Sequence, residues 1–497
     1  GSALWAGRSS DQISFMGQTP PPAHLRIGIV GAGCAGLTAA EELKKKGYTN
    51  VTVIEAKKRA GGKVITIPFS DENGQPQGTY EGGTVFYLPG KLYSDYARRY
   101  QMSIVYNAIP RCRTIDLNTM QVTSPYLIES PLPLSQRLGQ LWRFMSEMTS
   151  HHEAQSPGFN HAVFKRLGDS CSFWFTNHGL EFARDTFIPL ANALQFPSIG
   201  GPIPVAYLVK TLALLNRLGV HRRLMLSFPK FKEGNQVLWQ RVAEQHRVLF
   251  RTPVKKIRRG KTVRVEVPQG ELEFDRLIWA APMEDFPSVA DADEDTQDIV
   301  RRIRNVKRAV ITCRIDGLPS SVCYFIRNTV NHEVPINYPY AIYEVQPGTG
   351  VYNLYPYMHD DTSVDDMVHN VYDLARRLGA SKAKLIGQPL IWKWFPYFAV
   401  EDFKRGIYER FELMQGENNT FFVGEILSGV GVAFGMEYAA NIVERFFPHP
   451  TFDSLQTRPL YEPNPRVSPP SAFDLTMSSD NIRPFPSMHF RKDQPNE

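Results

Sequence analysis

Three glycines, Gly31, Gly33 and Gly36, stand in the run IGIVGAGCAGLTAAEEL, between an apolar stretch and one rich in Ala, Glu and Leu. At this spacing the first permits a tight strand-to-helix turn and the second lets backbone approach a pyrophosphate. The third lets the helix pack on the strand. The helix start then offers phosphates unpaired N–H groups and the positive end of its dipole. Glu55 ends the next apolar run, where a carboxylate accepts from ribose hydroxyls and disfavours a 2′-phosphate. A second glycine pair with a lysine, Gly61-Gly62-Lys63, follows at once. A nicotinamide site does not require that pair. It suits a longer cofactor whose chain continues past the first helix, and it points to FAD.

A second Gly-broken strand-to-helix run, NNTFFVGEILSGVGVAFGMEYAANIVERFF, lies far downstream at 418–447. Other catalytic patterns are absent: there is no G-x-S-x-G, H-E-x-x-H or P-loop lysine, and the histidines are isolated or sit in polar segments. Without an evident acid–base pair, hydride chemistry is the natural reading, with the protein supplying orientation and a dry cavity. The aromatic run IWKWFPYF fits sheet core or cavity wall equally. In the second reading Phe395 and Tyr397 face the flavin, where π faces stabilise a developing cation. The run FIPLANALQFPSIGGPIPVAYL supplies an apolar lid, with Phe187 and Phe196 as gates. Such a lid suits a small apolar, unsaturated, lipid- or polyketide-like substrate.

Positioning these groups takes more than one domain. A chain of 497 residues exceeds one simple core, and 42% hydrophobic with 21% charged residues is an ordinary globular composition. Net charge +6 is spread without a long basic tract, so no nucleic-acid partner is expected. No stretch approaches the ~20 apolar residues of a membrane span. Five scattered cysteines form no C-x-x-C or zinc spacing, which fits a reducing, cytoplasmic setting. The opening Gly-Ser reads as an expression scar, and sequons at Asn50 and Asn418 keep secretion open. The sequence says nothing of oligomeric state.

Strand, helix and strand over Leu25–Ala56 form a parallel βαβ unit. Residues 130–220 read as mostly helical, 245–282 as strands and 305–395 as a β-rich mixed sheet. The expected organisation is a flexible segment at 1–24 and a FAD-binding domain from 25–110, 223–286 and 412–447. A helical lid at 111–222, a mixed-sheet substrate domain at 287–411 and a Pro-rich tail at 448–497 complete it.

The glycine runs, together with YEGGTVF at 80–86 and the late FFVGE, resemble the FAD-dependent amine oxidase superfamily. Within it the runs ARDTFIPLANALQF, PVAYLVKTL and WFPYFAVEDFKRGIYERFELMQGENNTFFVGEILS are similar to polyenoic fatty acid isomerases. The resemblance implies an α/β amine oxidase-like fold, with a discontinuous Rossmann-type FAD-binding domain. Gly31, Gly33, Gly36 and Glu55 would hold the ADP half of FAD. Arg59, Gly61, Gly62 and Lys63 would line its middle, and Gly82, Gly83 and Thr84 would approach the flavin. Val254 would meet the adenine through its backbone, and Glu425, after Gly424, would bind the ribityl end or a bridging water. The helix at Met436 would point its N-terminus at the flavin, stabilising the reduced anion.

Departures from the family pattern sharpen this. No cysteine follows Cys323, so FAD is expected to be noncovalent. Gly435 takes the place of an aromatic cage residue, with Phe434 adjacent, which removes support for a simple primary amine. Tyr397 stands where the isomerases have His, and Arg111 and Arg113 are approximate counterparts of their carboxylate anchors. A flavin-dependent double-bond isomerase is favoured; an H2O2-producing oxidase or oxidative cyclase is the alternative, and a non-catalytic FAD scaffold is a distant third.

Overall fold

The computed structural model describes residues 22–87, 90–108, 111–124, 130–160, 162–193, 203–215, 227–327, 337–358, 362–450 and 488–489. Its first layer is a five-stranded, all-parallel sheet. The strand order is Thr420–Phe422, Arg276–Trp279, Ile27–Val30, Val51–Ile54 and Arg247–Leu249. These strands come from four separated stretches of chain, so the late glycine run does return to the first one. Ile27–Val30 is buried throughout, as a central parallel strand covered on both faces must be. The helices Cys34–Lys46 and Val432–Phe446 pack side by side against this sheet. Lys46 fastens them at their far ends by donating to the carbonyls of Val443, Glu444 and Phe447, the last at 3.0 Å.

The second layer is a larger mixed sheet centred on Arg304–Asp316, whose 13 residues pair with Val351–Met358, Leu390–Tyr397 and Lys382–Leu385. Alternation along this strand divides its side chains. Ala309, Ile311, Cys313 and Ile315 join a core under the helix Val364–Arg377. Val310 joins a separate core with Phe228, Tyr340, Tyr355 and Leu390 on the opposite face. The helix over the first face is conventionally finished. Ser363 caps its N-terminus by accepting from the Asp366 N–H, acids occupy its first turn, and arginines occupy its last.

Two sequence expectations change here. Residues 111–115 and 122–123, expected within the helical lid, are strands. Arg111–Ile115 pairs in parallel with Val322–Ile326 and so extends the mixed sheet. The Pro-rich tail also contributes a short strand, Met488–His489, on Lys382–Ala383. Runs as short as RCRTI, VT and MH are too brief to show a strand alternation of their own. Leu134–Ser150, Glu181–Ala193 and Val205–Leu215 are helical as expected. Among the described residues no helix is long and apolar enough to cross a membrane, and no group of His, Cys, Asp or Glu is placed to hold a metal ion.

Candidate functional site

Both glycine turns open on one cavity of about 600 Å³. Val30, Gly31, Gly33 and Cys34 from the first turn line it, as do Gly424, Glu425, Gly431, Val432 and Ala433 from the second. Gly31 sits at φ +107° with the Ala280 backbone against it, a turn that a side chain would strain. At Gly33 an added Cβ would meet only Gly62 Cα at 3.9 Å, so the space beside this backbone belongs to the cavity. A bound chain can therefore lie directly on the Gly33–Gly62 backbone. Gly36 has the other task foreseen for it. Its Cβ would fall 2.0 Å from the Gly31 carbonyl, so only glycine lets helix and turn close up.

The helices that begin at the cavity are unfinished in a telling way. Neither Gly33 nor Gly431 offers a side-chain cap, and neither helix has an acid in its first turn. Their leading N–H groups and positive dipole ends are left to whatever occupies the cavity.

Glu55 is buried at the cavity wall. One carboxylate oxygen accepts the Ala32 N–H at 2.8 Å and the other the Lys57 N–H at 2.8 Å, fixing both loops around it. Lys63 pairs with Glu425, so the middle of the first segment is tied to the late turn, and its Nζ lies 5.3 Å from the Trp394 ring. Gly61, Gly62, Lys63, Thr84 and Val254 also line the cavity. Arg59 does not; its guanidinium braces the glycine pair by donating to the carbonyls of Gly62, at 2.7 Å, and of Ala60 and Val64. Gly82 and Gly83 lie just behind the wall, where side chains would collide with Leu390 and with the Lys63 carbonyl. Met436 is fully buried and does not line the cavity, although its neighbour Gly435 does.

The substrate-side expectations fare differently. Phe395 and Tyr397 do not line this cavity; Trp392, Trp394 and Pro396 do. Residues two apart on a strand share a face, and the even-numbered aromatics are turned inward, with Lys393 also reaching the lining. A register shift against Arg304 and Val306, with Phe395 at φ +51°, then carries the Phe395 ring into a core with Tyr207 at 5.9 Å. Phe187 packs on Phe144 at 4.7 Å, away from the lining, and Phe434 is buried beneath Lys210 at 4.6 Å. Arg113 folds back to donate to the Cys112 carbonyl. Arg111 is placed as backbone in its strand, and Phe196 lies outside the described residues.

Sequence reasoning missed Phe86, Phe228, Trp392 and Trp394 as an aromatic wall, although the period of two in IWKWFPYF was available. It also missed Cys34, inside the fingerprint itself, whose thiol burial pushes up to about 12 with help from the Glu425 charge.

The cavity's features fit FAD: two uncapped helix starts, an open glycine cradle between them and a carboxylate at the nucleotide end. The comparisons agree. Residues 29–98 match the NAD(P)-binding Rossmann-like domain, and 134–311 match the flavin containing amine oxidoreductase family. A polyenoic fatty acid isomerase of Ptilota filicina is 47% identical over 45 residues, 9% of each chain. Tryptophan 2-monooxygenase of Agrobacterium vitis is 25% identical over 184 residues, 35% of this chain and 24% of that one. The matched stretches thus span a quarter or less of these relatives' own lengths. Among solved structures, the CLA-producing fatty acid isomerase from P. acnes aligns over 86% of this chain and 99% of its own, with TM-score 0.75 and 22% identity. Cyclohexylamine oxidase from Brevibacterium oxydans aligns over 85% and 99%, with TM-score 0.61 and 16% identity. The chain is a flavoprotein of the amine oxidase-like fold, with sequence similarity to polyenoic fatty acid isomerases and with FAD as its cofactor.

Proposed function

We propose that this protein shifts double bonds within an apolar unsaturated substrate of lipid- or polyketide-like class. A hydride leaves an allylic carbon and returns elsewhere on the same skeleton. Noncovalently bound FAD supplies both the acceptor and the donor of that hydride. The observation that supports this reading best is the aromatic wall of Phe86, Phe228, Trp392 and Trp394 facing the late turn. It offers shape and dryness to an apolar chain and stabilises positive charge on the carbon losing hydride.

The remaining roles follow from the geometry. Glu55 and the Gly33–Gly62 backbone hold the nucleotide end. Lys63 and Glu425 neutralise one another where the two segments meet, so neither is left as an unpaired charge beside an apolar substrate. Gly435 lines the cavity where a side chain would narrow it, which suits a bulky skeleton better than a caged amine.

Incubation with candidate polyenes, following O2 uptake and product mass, tests the proposal. The expected result is a product of unchanged mass with no O2 consumed. Stoichiometric peroxide with loss of two hydrogens would establish the oxidase reading instead.

A further inference from the structure

The helix Leu134–Ser150 is apolar over a wider sector than the core beneath it covers. Phe144 and Met148 are its buried residues, and Phe144 packs on Phe175 at 5.6 Å and on Phe187 at 4.7 Å. Beside them four large side chains stand in solvent: Leu134 is 63% exposed, Leu138 57%, Trp142 72% and Met145 38%. At ~100° per residue these positions fall within about 80° of one another, so they form one stripe roughly 16 Å long. Among the described residues no other element carries more than two large exposed hydrophobics. Single exposed apolar residues need no explanation, but a stripe that holds a tryptophan does.

The charges of this helix complete the pattern. Arg137 and Arg143 flank the stripe, while its one acid, Glu147, lies round on the far side and is hydrogen-bonded to the His151 ring at 3.3 Å. Arg143 is braced by the carbonyls of His178, at 3.3 Å, and Gly179, at 3.0 Å, which leave its charge in place. The chain as a whole carries net charge +6.

We infer that this stripe docks the protein on an anionic lipid bilayer surface, with the helix lying in the plane of the interface. Leucines, a methionine and a tryptophan enter the boundary between headgroups and acyl chains, and the flanking arginines stay with the phosphates. With 17 residues and its other side committed to the core, the helix lies on a bilayer and does not span it. A second copy of the chain is a poorer occupant. The exposed fractions leave roughly 450 Å² of apolar surface, a patch large enough to be functional but short of the ~800 Å² per partner of a stable protein interface. The docked helix also touches the site's own scaffold: it packs on Val205–Leu215, whose Thr211 lines the cavity. Docking does not depend on isomerisation and is measured without turnover.

The test uses flotation of FAD-loaded protein with vesicles of phosphatidylcholine, alone or with about 30% phosphatidylglycerol. The wild type is expected to float with the mixed vesicles and to partition several-fold more weakly onto phosphatidylcholine alone. Leu138→Ser combined with Trp142→Ser should lower partitioning about tenfold or more, because two large apolar side chains no longer enter the bilayer. Both positions are exposed, so this double variant should melt as the wild type does. Leu413→Ser, at a site 71% exposed on a different helix, should bind like wild type. Trp142→Phe keeps an apolar ring and should still bind, but should lose most of the tryptophan quenching that brominated acyl chains cause in wild type. Wild-type protein that floats with neither vesicle overturns the docking surface. Binding that the double variant leaves intact also overturns it, assigning adsorption to net charge alone. A dimer that the double variant splits, in protein that ignores vesicles, assigns the stripe to a second copy and overturns it too.

Discussion

At the scale of single residues, Glu55 shows how a motif position acquires chemistry. Each of its oxygens takes one backbone N–H, from Ala32 and from Lys57, and each keeps lone pairs for a sugar hydroxyl. Glu55→Ala should weaken FAD retention about 10- to 100-fold, the range of one charge-assisted hydrogen bond of ~1.5–3 kcal/mol. Equilibrium dialysis against free FAD measures it, and unchanged retention would remove Glu55 from the nucleotide site. The glycines and this acid are legible in sequence because backbone geometry and chain spacing prescribe them. Phe395 is not. Its displacement from the cavity depends on a register shift in a strand pair formed with residues some ninety positions earlier, which no local pattern encodes. Arg308 is equally hidden in the sequence, since only tertiary packing shows that this arginine of the central mixed-sheet strand is buried.

At the scale of elements, the two helices that start at the cavity share a design: glycine before the first turn, no side-chain cap, no early acid. Their closeness to the strands depends on small residues, and Gly36 is the tightest point. Gly36→Ala would set a Cβ 2.0 Å from the Gly31 carbonyl, so helix or turn must shift. The expected cost is about 1–3 kcal/mol, the usual penalty for overpacking, together with weakened FAD binding. Calorimetry of apo and FAD-loaded protein separates the effects, and a variant as stable and as flavin-saturated as wild type would contradict the packing argument. Element type was largely readable from periodicity. The short strands at 111–115 and 122–123 were not, because the first is held by Val322–Ile326 far along the chain and the second, two residues long, pairs with the first.

At the scale of the whole molecule, the nucleotide side and the mixed sheet meet at a buried carboxyl. Glu81 accepts from the Asn235 N–H at 3.0 Å and the Thr66 hydroxyl at 2.9 Å, while Asn353 of the mixed sheet donates to its carbonyl at 3.0 Å. Burial raises the Glu81 carboxyl from 4.5 to about 7, against the opposing hydrogen bonds. The folded protein therefore keeps this proton more firmly than the unfolded chain does. The Glu81 contribution to stability is greatest in acid, falls as pH rises from about 4.5 to about 7, and is level above that. The full change is roughly 3 kcal/mol at about 1.4 kcal/mol per pH unit. Glu81→Gln should flatten that part of the stability–pH curve, measured by urea unfolding of FAD-saturated protein between pH 5 and pH 8. An unaltered slope would show that another group titrates there.

The proposed isomerisation involves no net oxidation. The direct measurement is anaerobic incubation with a large excess of a polyene that the protein converts in air. Product formation that continues far beyond one equivalent of bound flavin is the predicted result, because the hydride taken is returned. Conversion that halts after one equivalent and resumes only when O2 is admitted would contradict it.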